Sequence, residues 1–224
     1  MKIIAFLYIL KVREINKMKY EWRKVDKKLY LPKNNPEIIE VPQMKYFMLS
    51  GKGNPNDQEF SQAIEALYSV SYGVRMSHKS EIVPDGYYEY TVFPLEGIWD
   101  LEEEARGHKV LNKDKLIYTL MIRQPDFLTD DLAKDIIERI KKKKSNSLLD
   151  NISFSRLEEG LNVQMMHIGS YDTEPKSFRL MEEFCSENEL IRIDKTHKEI
   201  YISDFRKTEP DKLKTVLRFK ARKK

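Results

Sequence analysis

Cysteine is nearly absent from the sequence: Cys185 is the single copy among 224 residues. One cysteine excludes an intramolecular disulfide and any metal site built from several cysteines. The histidines are scattered and show no HxxxH or HExxH spacing, which common zinc motifs require; they lie at positions 78, 108, 167 and 197. We therefore predict that the protein binds no metal.

Phosphate-binding loops are also missing from the sequence. It contains no GxGxxG pattern, and the glycines of "SGKGNP" at 50–55 lack the spacing of a P-loop. Such loops are needed where backbone N–H groups approach the phosphates of a nucleotide. No stretch therefore indicates a nucleotide or another cofactor, and we predict none.

No hydrophobic run is long enough to span a bilayer. The apolar stretch "MKIIAFLYILK" at the start is too short for a transmembrane helix and lacks the small-residue cleavage site of a signal peptide. A second methionine, Met18, offers an alternative start. We predict that residues 1–24 are an N-terminal extension, of which 1–17 need not be native, and we expect a cytoplasmic protein without a membrane partner.

The positive charge is too small and too dispersed for a nucleic-acid-binding protein. The net charge is +4, and lysines alternate with glutamates along most of the chain. The cluster "KKKK" at 141–144 closes a predicted helix, and "KARKK" at the C-terminus is typical of a solvated tail. Because no basic stripe is interleaved with aromatic residues, we expect no direct nucleic-acid partner.

Apolar periodicity predicts alternating strands and helices from residue 37 onward. The predicted strands are "PEIIEVPQMKYFMLSGKG", a pair, and then "DGYYEYTVFPLEGIWDL", "DKLIYTLMIRQP", "LNVQMMHIGSY", "HKEIYISD" and "LKTVLRFKARK". The predicted helices are "NDQEFSQAIEALYSVSYGV" with Asp57 as N-cap, "TDDLAKDIIERIKKKK" with Thr129 as N-cap, and "TEPKSFRLMEEFCSENEL". Residues 18–36 are irregular and are predicted to lie over the surface of the domain.

The order strand, helix, strand, strand occurs twice along the chain. A shift of 118 residues aligns these pairs without gaps: Met48 with Met166, Gly51 with Gly169, Phe60 with Phe178 and Leu67 with Cys185. We predict an α+β fold of duplicated βαββ units, with halves at about 37–124 and 161–222 and a pseudo-two-fold axis. The two halves form one domain over 25–224, with a ligand cleft between them.

A glutamate lies in the middle of the strand "HKEIYISD". Alternation places Lys198, Ile200 and Ile202 on one face, and His197, Glu199 and Tyr201 on the other. We expect the helices to cover the isoleucine face, and the opposite faces of the two halves to approach each other. Glu199 and Tyr201 would then line the cleft.

Several stretches resemble the GyrI-like small-molecule-binding proteins. They are "VQMMHIGSYDTEPKSF", "HKEIYISD" and "LKTVLRF", whereas "YGVRM" and "EYTVFPLEGIWDL" are similar to the stand-alone bacterial branch of that family. The resemblance covers about residues 25–222. It implies binding of planar, hydrophobic ligands, cationic in some relatives, and hydrolysis of cyclopropane-bearing, DNA-alkylating natural products in similar stand-alone relatives. Residues 1–36 are too short and irregular for a helix-turn-helix, so a transcription regulator is not expected.

The resemblance also implies which residues bind and react. Glu199 and Tyr201 match the family's pocket acid and the neighbouring aromatic residue. Glu199 is predicted as a general base that activates water, with a tyrosine hydroxyl stabilising the developing oxyanion. The predicted ligand-binding residues supply aromatic surface, adaptable methionine contacts or an imidazole: Trp99, Tyr68, Tyr72, Tyr88, Tyr90, Met165, Met166 and His197.

Three functions remain open from the sequence. The first is hydrolysis of a strained ring, and the second is binding or sequestration of a drug without turnover, where an ionised Glu199 pairs with a ligand cation among aromatic rings. The third is inhibition of gyrase through the protein surface, as the name-giving member of the family does. The resemblance alone does not choose among them.

Overall fold

The computed structural model describes residues 19–80, 83–107 and 110–224. The predictions for residues 1–18 and the position of His108 lie outside this part of the chain. No helix in the described ranges has both the length and the apolar composition needed to cross a membrane.

Strands and helices alternate as the periodicity predicts. The strands in the described ranges are β1 (Glu37–Val41), β2 (Met44–Lys52), β3 (Leu95–Leu101), β4 (Leu116–Gln124), β5 (Ser153–Leu157), β6 (Gly160–Ile168), β7 (Leu190–Arg192), β8 (His197–Tyr201) and β9 (Lys214–Lys223). The α-helices there are α1 (Trp22–Val25), α2 (Lys27–Tyr30), α3 (Gln58–Arg75), α4 (Asp130–Lys141) and α5 (Glu174–Glu187). The short strands β5 and β7 were not predicted.

Asp57 occupies the predicted N-cap position of α3, but its side chain makes no cap hydrogen bond within the described ranges, whereas two other helix starts follow local sequence chemistry. Thr129 caps α4, since its side chain accepts a hydrogen bond from the backbone N–H of Leu132 at 3.2 Å. The first turn of α5 contains Pro175, which has no N–H to lose and a backbone angle that suits a helix start. Glu174 immediately precedes this proline, so the start of the helix fixes where the glutamate lies.

The two halves join edge to edge in one antiparallel sheet. The strand order is β1-β6-β9-β8-β3-β4-β2-β5, and β7 pairs with β9 outside this path. The repeated units are β2-α3-β3-β4 and β6-α5-β8-β9, so the order is symmetric about the pairing of β3 with β8. This arrangement confirms the predicted α+β fold of duplicated βαββ units, with the pseudo-two-fold axis between these strands.

Both helices of the repeat lie on the same face of the sheet. A row of cross-strand partners runs through Met165, Leu217, Glu199, Gly97, Leu120 and Leu49. Leu49 and Leu120 pack in the core beneath α3, with Leu67, and Met165 and Leu217 pack beneath α5, with Met181. Glu199 therefore lies on the helix-covered face, in the gap between the two helices.

The predicted face of Glu199 was therefore wrong, although the predicted cleft between the halves is present. We had expected the helices to cover the face of Ile200. The faces of the two halves do not approach each other, because β3 and β8 pair and continue a single sheet. The cleft is the space that α3 and α5 leave above the central strands.

The N-terminal segment covers the reverse face of the sheet, which carries polar side chains. Gln164 donates to the carbonyl of Lys28 at 2.7 Å, and Arg218 donates to that of Leu29 at 2.6 Å. Lys198 on this face is 3% exposed; its Nζ lies 2.9 Å from Glu96 and 2.6 Å from Glu159. The strand β8 is thus buried on both faces.

The strand containing Trp99 is shorter than predicted. It begins at Leu95, directly after Pro94, which cannot donate a hydrogen bond to a neighbouring strand. Before this proline, Tyr90 makes a single parallel bridge with Tyr20 of the N-terminal segment. Residues 83–94 therefore do not extend β3, although Tyr90 and Phe93 of this segment are buried in the core.

Candidate functional site

A cavity of about 1510 Å³ lies between α3 and α5, above β3 and β8. The walls are aromatic, and the floor carries carboxyl groups. Its side walls come from the helices and its floor from the central strands; the residues used below are Phe60, Tyr68, Trp99, Phe178, Glu199 and Tyr201. An apolar cleft with a few convergent polar groups is the usual form of a small-molecule site.

Two carboxyl groups meet at the floor of this cavity. Glu199 is contributed by β8 and Glu174 by the first position of α5, and they are only 8% and 7% exposed. One donor atom from each, together with one ring nitrogen of His197, lie within 4.8 Å of one another. Two negative charges this close together and this well shielded from water repel each other strongly. One of the two carboxyl groups therefore holds a proton.

The proton of the pair lies on Glu174. Burial, followed by the charge of Glu199 and a hydrogen bond with it, raises the pKa of Glu174 well above its ordinary value. Helix N-termini favour a carboxylate, but that effect is typically below about 1 kcal/mol and is smaller than the cost of two buried charges. The raised pKa therefore favours a neutral carboxyl at Glu174 beside Glu199 on the cavity floor.

Tyr201 connects Glu199 to the indole of Trp99. The Trp99 Nε1–H donates to the Tyr201 hydroxyl at 2.8 Å, and that hydroxyl is hydrogen-bonded to Glu199. Burial and the charge of Glu199 raise the pKa of Tyr201 well above its usual range, so the phenol stays neutral and donates. The chain of donors fixes the orientation of the carboxylate.

His197 connects the carboxyl pair to the outer part of the cavity. Its Nε2 lies 3.2 Å from Oε1 of Glu199, and its ring meets the edge of Phe178 with 4.7 Å between centroids. The side chain is 22% exposed. A partly exposed imidazole beside a buried carboxylate can exchange protons between that carboxylate and solvent.

Glu174, His197 and Glu199 also have a spacing that would admit a metal ion. A cation held there would displace the proton of the pair, so a proton and a cation are alternative ways to neutralise the two carboxyl groups. A shared proton accounts for the close approach of the two groups when no cation is bound. The arrangement suits acid–base chemistry on a bound water.

The structure brings six of the ten predicted site residues to the cavity wall: Glu199, Tyr201, Trp99, His197, Tyr68 and Tyr72. Tyr72 is the most exposed of them, at 48%. Burial raises the pKa of Tyr68, so its phenol remains neutral as well. These six come from α3, β3 and β8, which the duplicated fold places around one space.

The other four predicted site residues do not line the cavity. The Tyr90 hydroxyl donates to the Ser71 carbonyl at 3.4 Å, and Tyr88 packs against Phe127 with 5.3 Å between ring centroids. Met165 is buried beneath α5, and Met166 points to the reverse face of β6. The tyrosines precede the start of β3, and the methionines lie on β6, away from the central strands.

Sequence reasoning missed Glu174, Tyr171 and Phe178 as site residues. An acid at a helix start, as Glu174 is, is explained by the helix dipole, and Phe178 falls among the apolar residues of α5. Tyr171 makes an edge contact with Tyr201 at 6.2 Å, and burial with the charge of Glu199 raises its pKa to about 12. The repeat could have indicated Phe178, because that residue corresponds to the cavity residue Phe60.

Comparison with protein families gives one match over most of the chain. The GyrI-like small molecule binding domain matches residues 34–221. The chain belongs to this family. The predicted family is confirmed, and with it the general property of a small-molecule-binding domain.

Solved structures of similar sequence come from Listeria innocua. Two are described as hydrolases; they are 35% and 37% identical, with TM-scores of 0.83 and 0.84, and the alignments cover 91% and 92% of this chain and 100% of theirs. A third, an uncharacterized conserved protein, is 37% identical with a TM-score of 0.84, over 91% of this chain and 100% of that one. Comparison with curated protein sequences gives no match.

Proposed function

We propose that this GyrI-like domain binds planar, hydrophobic small molecules in its cavity and hydrolyses a strained ring, with Glu199 as the general base. The observation that carries the proposal is the pair of buried carboxyl groups, one of them protonated, on the floor of an aromatic cavity. Two similar proteins described as hydrolases support a reaction with water. A cyclopropane conjugated to a carbonyl is the ring that this chemistry suits.

The walls of the cavity favour a flat ligand. Trp99 lies 5.7 Å from Phe60 and 5.5 Å from Tyr118, measured between ring centroids, so its indole is held on the wall. Phe178 faces the cavity from α5. Rigid aromatic rings supply large apolar contact area at a low entropic cost, which favours stacking with conjugated rings.

Ring opening needs one water and a base. Glu199 takes a proton from water as the water oxygen bonds to a cyclopropane carbon. The carbon–carbon bond breaks, and its electron pair moves into the conjugated carbonyl, which becomes an oxyanion. The oxyanion takes up a proton from solvent, and Glu199 returns its proton through His197, so the net change is the addition of one water.

Glu174 and Tyr201 position the base in this mechanism. Each is hydrogen-bonded to Glu199, and each is held in its neutral, donating form. The oxyanion role predicted for a tyrosine is not assigned to Tyr201, because its hydroxyl accepts from Trp99 and is hydrogen-bonded to Glu199. General-base catalysis of this kind contributes roughly 10²–10⁴-fold to a rate.

Single-turnover reaction of a spirocyclopropyl-cyclohexadienone tests the proposal. Absorbance follows loss of the dienone, mass spectrometry detects the water adduct, and fluorescence quenching measures binding. Wild type should form the adduct, and Glu199→Gln should bind the compound with turnover lowered by about 10²-fold or more. Glu183→Gln, an exposed glutamate on α5, is the matched control and should react as wild type does.

The same experiment decides between hydrolysis and sequestration. Tight binding by wild type and Glu199→Gln, with no adduct from either, would contradict hydrolysis and make the protein a sequestering module. Absence of binding by wild type would contradict both hydrolysis and sequestration. Inhibition of gyrase through the protein surface would then be the remaining candidate function.

A further inference from the structure

Three arginines line the cavity, and one of them differs from the others. Arg106 binds both oxygens of Asp100, at 2.9 and 2.8 Å, and Arg206 binds Asp204 through two nitrogens, each at 2.9 Å. Arg23 makes no ion pair with a carboxylate in the described part of the chain. The first two charges are neutralised locally, whereas that of Arg23 is not.

Arg23 is nevertheless held in position. Its guanidinium carbon lies 4.3 Å from the centroid of the Trp22 ring, and its Nη2 donates to the carbonyl of Ile202 at 3.3 Å. Trp22 itself is 4% exposed, and its Nε1–H donates to the carbonyl of Val92 at 3.1 Å. A guanidinium stacked on a fixed indole retains several N–H groups for a ligand.

The place of Arg23 relative to the carboxyl pair follows from β8. Ile202 is three residues beyond Glu199 along an extended segment, a separation of roughly 10 Å at about 3.3 Å per residue. The guanidinium therefore contacts the cavity wall at a backbone position three residues beyond Glu199. A ligand that reaches both points must be longer than one ring.

We propose that Arg23 and Trp22 form a second subsite, which binds a carboxylate on a planar ligand whose rings occupy the aromatic part of the cavity. The subsite rests on the proposed function only in requiring that planar ligands enter the cavity. It adds a class of ligand to that function: an elongated aromatic molecule whose anionic group lies at the Arg23 end of the cavity.

The chemistry favours a carboxylate over a neutral group at this point. Guanidinium groups bind carboxylates with two parallel hydrogen bonds, which are about twice as strong as those between neutral partners. Arg23 is exposed, so salt screens part of the attraction. We expect a preference of about 10-fold at low ionic strength, decreasing in 1 M salt.

Fluorescence titration with two pyrene probes tests the subsite without any turnover. 1-Pyrenebutyric acid carries a carboxylate, and 1-pyrenebutanol replaces it with a hydroxyl on the same rings and chain. Wild type should bind the acid about 10-fold more tightly than the alcohol. Arg23→Gln should bind both equally, and Arg206→Gln, which removes a cavity arginine already paired with Asp204, should keep the preference.

Three other results would overturn the subsite. Equal binding of both probes by wild type, or an equal loss of preference in Arg206→Gln and Arg23→Gln, would overturn it and leave the proposed function intact. Binding of neither probe by wild type would overturn the subsite together with the proposal of planar ligands. Because Arg23 is exposed, the substitution should leave the fold unchanged, which thermal unfolding checks.

Discussion

Glu199 lies directly opposite Gly97, as its cross-strand partner at the junction of β8 with β3. Since Gly97 has no side chain, the floor beside the carboxylate is bare backbone, and Trp99 and Tyr201 meet above it. A Cβ at position 97 would lie 2.9 Å from Nε1 of Trp99 and 3.4 Å from the Tyr201 hydroxyl. The hydrogen bond from Trp99 to Tyr201, which positions Tyr201 on Glu199, therefore depends on a glycine in the neighbouring strand.

Gly97→Ala should separate Trp99 from Tyr201. The indole cannot simply move aside, because it packs against Phe60 and Tyr118. We expect destabilisation of about 1–3 kcal/mol from overpacking, a shift of tryptophan fluorescence, and ligand binding weakened by about 10-fold. Urea unfolding measures the destabilisation, and emission spectra measure the shift of tryptophan fluorescence.

A double-mutant cycle with Tyr201→Phe controls this prediction. In that background the hydrogen bond from Trp99 is already lost, so Gly97→Ala should have a smaller effect on fluorescence and on binding. Fully additive effects in the double variant would show that Gly97 does not act through Tyr201.

Stability should depend on pH through Glu174. Its pKa in the folded protein is raised above the ordinary value of 4.5. The stabilising contribution of the protonated carboxyl is therefore complete below pH 4.5 and is lost as the pH rises through the folded pKa. Within that window the wild type should lose about 1.4 kcal/mol per pH unit from this group.

Glu174→Gln should remove this dependence, because the amide does not titrate. The melting temperature of the variant relative to wild type should rise as the pH increases above 4.5, and should level off once the pH has passed the folded pKa of Glu174. Glu183→Gln, exposed on the same helix, should follow wild type at every pH. Parallel curves for Glu174→Gln and wild type would mean that Glu174 does not carry the proton of the pair.

The fold and the candidate acid Glu199 could be predicted because their signals are local or repeated. Period-two alternation predicted β8, and the capping residue Thr129 predicted the start of α4. The shift of 118 residues related Phe60 to Phe178, and both line the cavity. Each of these inferences needs only neighbouring residues or a comparison of the chain with itself.

The face of β8 that lines the cavity could not be predicted in the same way. Alternation separates Glu199 from Lys198 but does not say which side the helices cover. Both sides are buried, since Lys198 pairs with Glu96 and Glu159 beneath the N-terminal segment. Because each face of β8 carries a charged residue, the alternation does not indicate which face is exposed to solvent.

Glu174 was missed because a simpler explanation was available. An acid at the start of a helix is common and is explained by the helix dipole. Its contact with Glu199 joins residues from different elements, and no spacing in the sequence indicates it. Tyr88 and Tyr90 were misplaced because the predicted strand included them. The observed strand β3 begins only after Pro94, so both tyrosines lie in the segment before it.

Lys198→Met should test how much the ion pairs on the face of the sheet opposite the cavity contribute to stability. Lys198 is 3% exposed, and it offsets the charges of Glu96 and Glu159, which are 0% and 8% exposed. Methionine keeps a similar length but leaves two carboxylates buried without their cation. Removal of one partner from a buried ion pair typically costs about 3–5 kcal/mol.

The pH dependence of that loss distinguishes charge from packing. The charge of Lys198 holds the pKa of Glu159 below its ordinary value despite burial, which opposes it. That contribution to stability is present above the ordinary pKa and is lost as the pH falls through the lowered one. In Lys198→Met the carboxyl group of Glu159 can protonate at the lower pH, so urea unfolding should show a larger loss of stability at pH 8 than at pH 5. Lys24→Met, which breaks the exposed pair with Glu21, is the control and should change stability little at either pH. An equal loss at both pH values would mean that the lysine acts through packing and not through its charge.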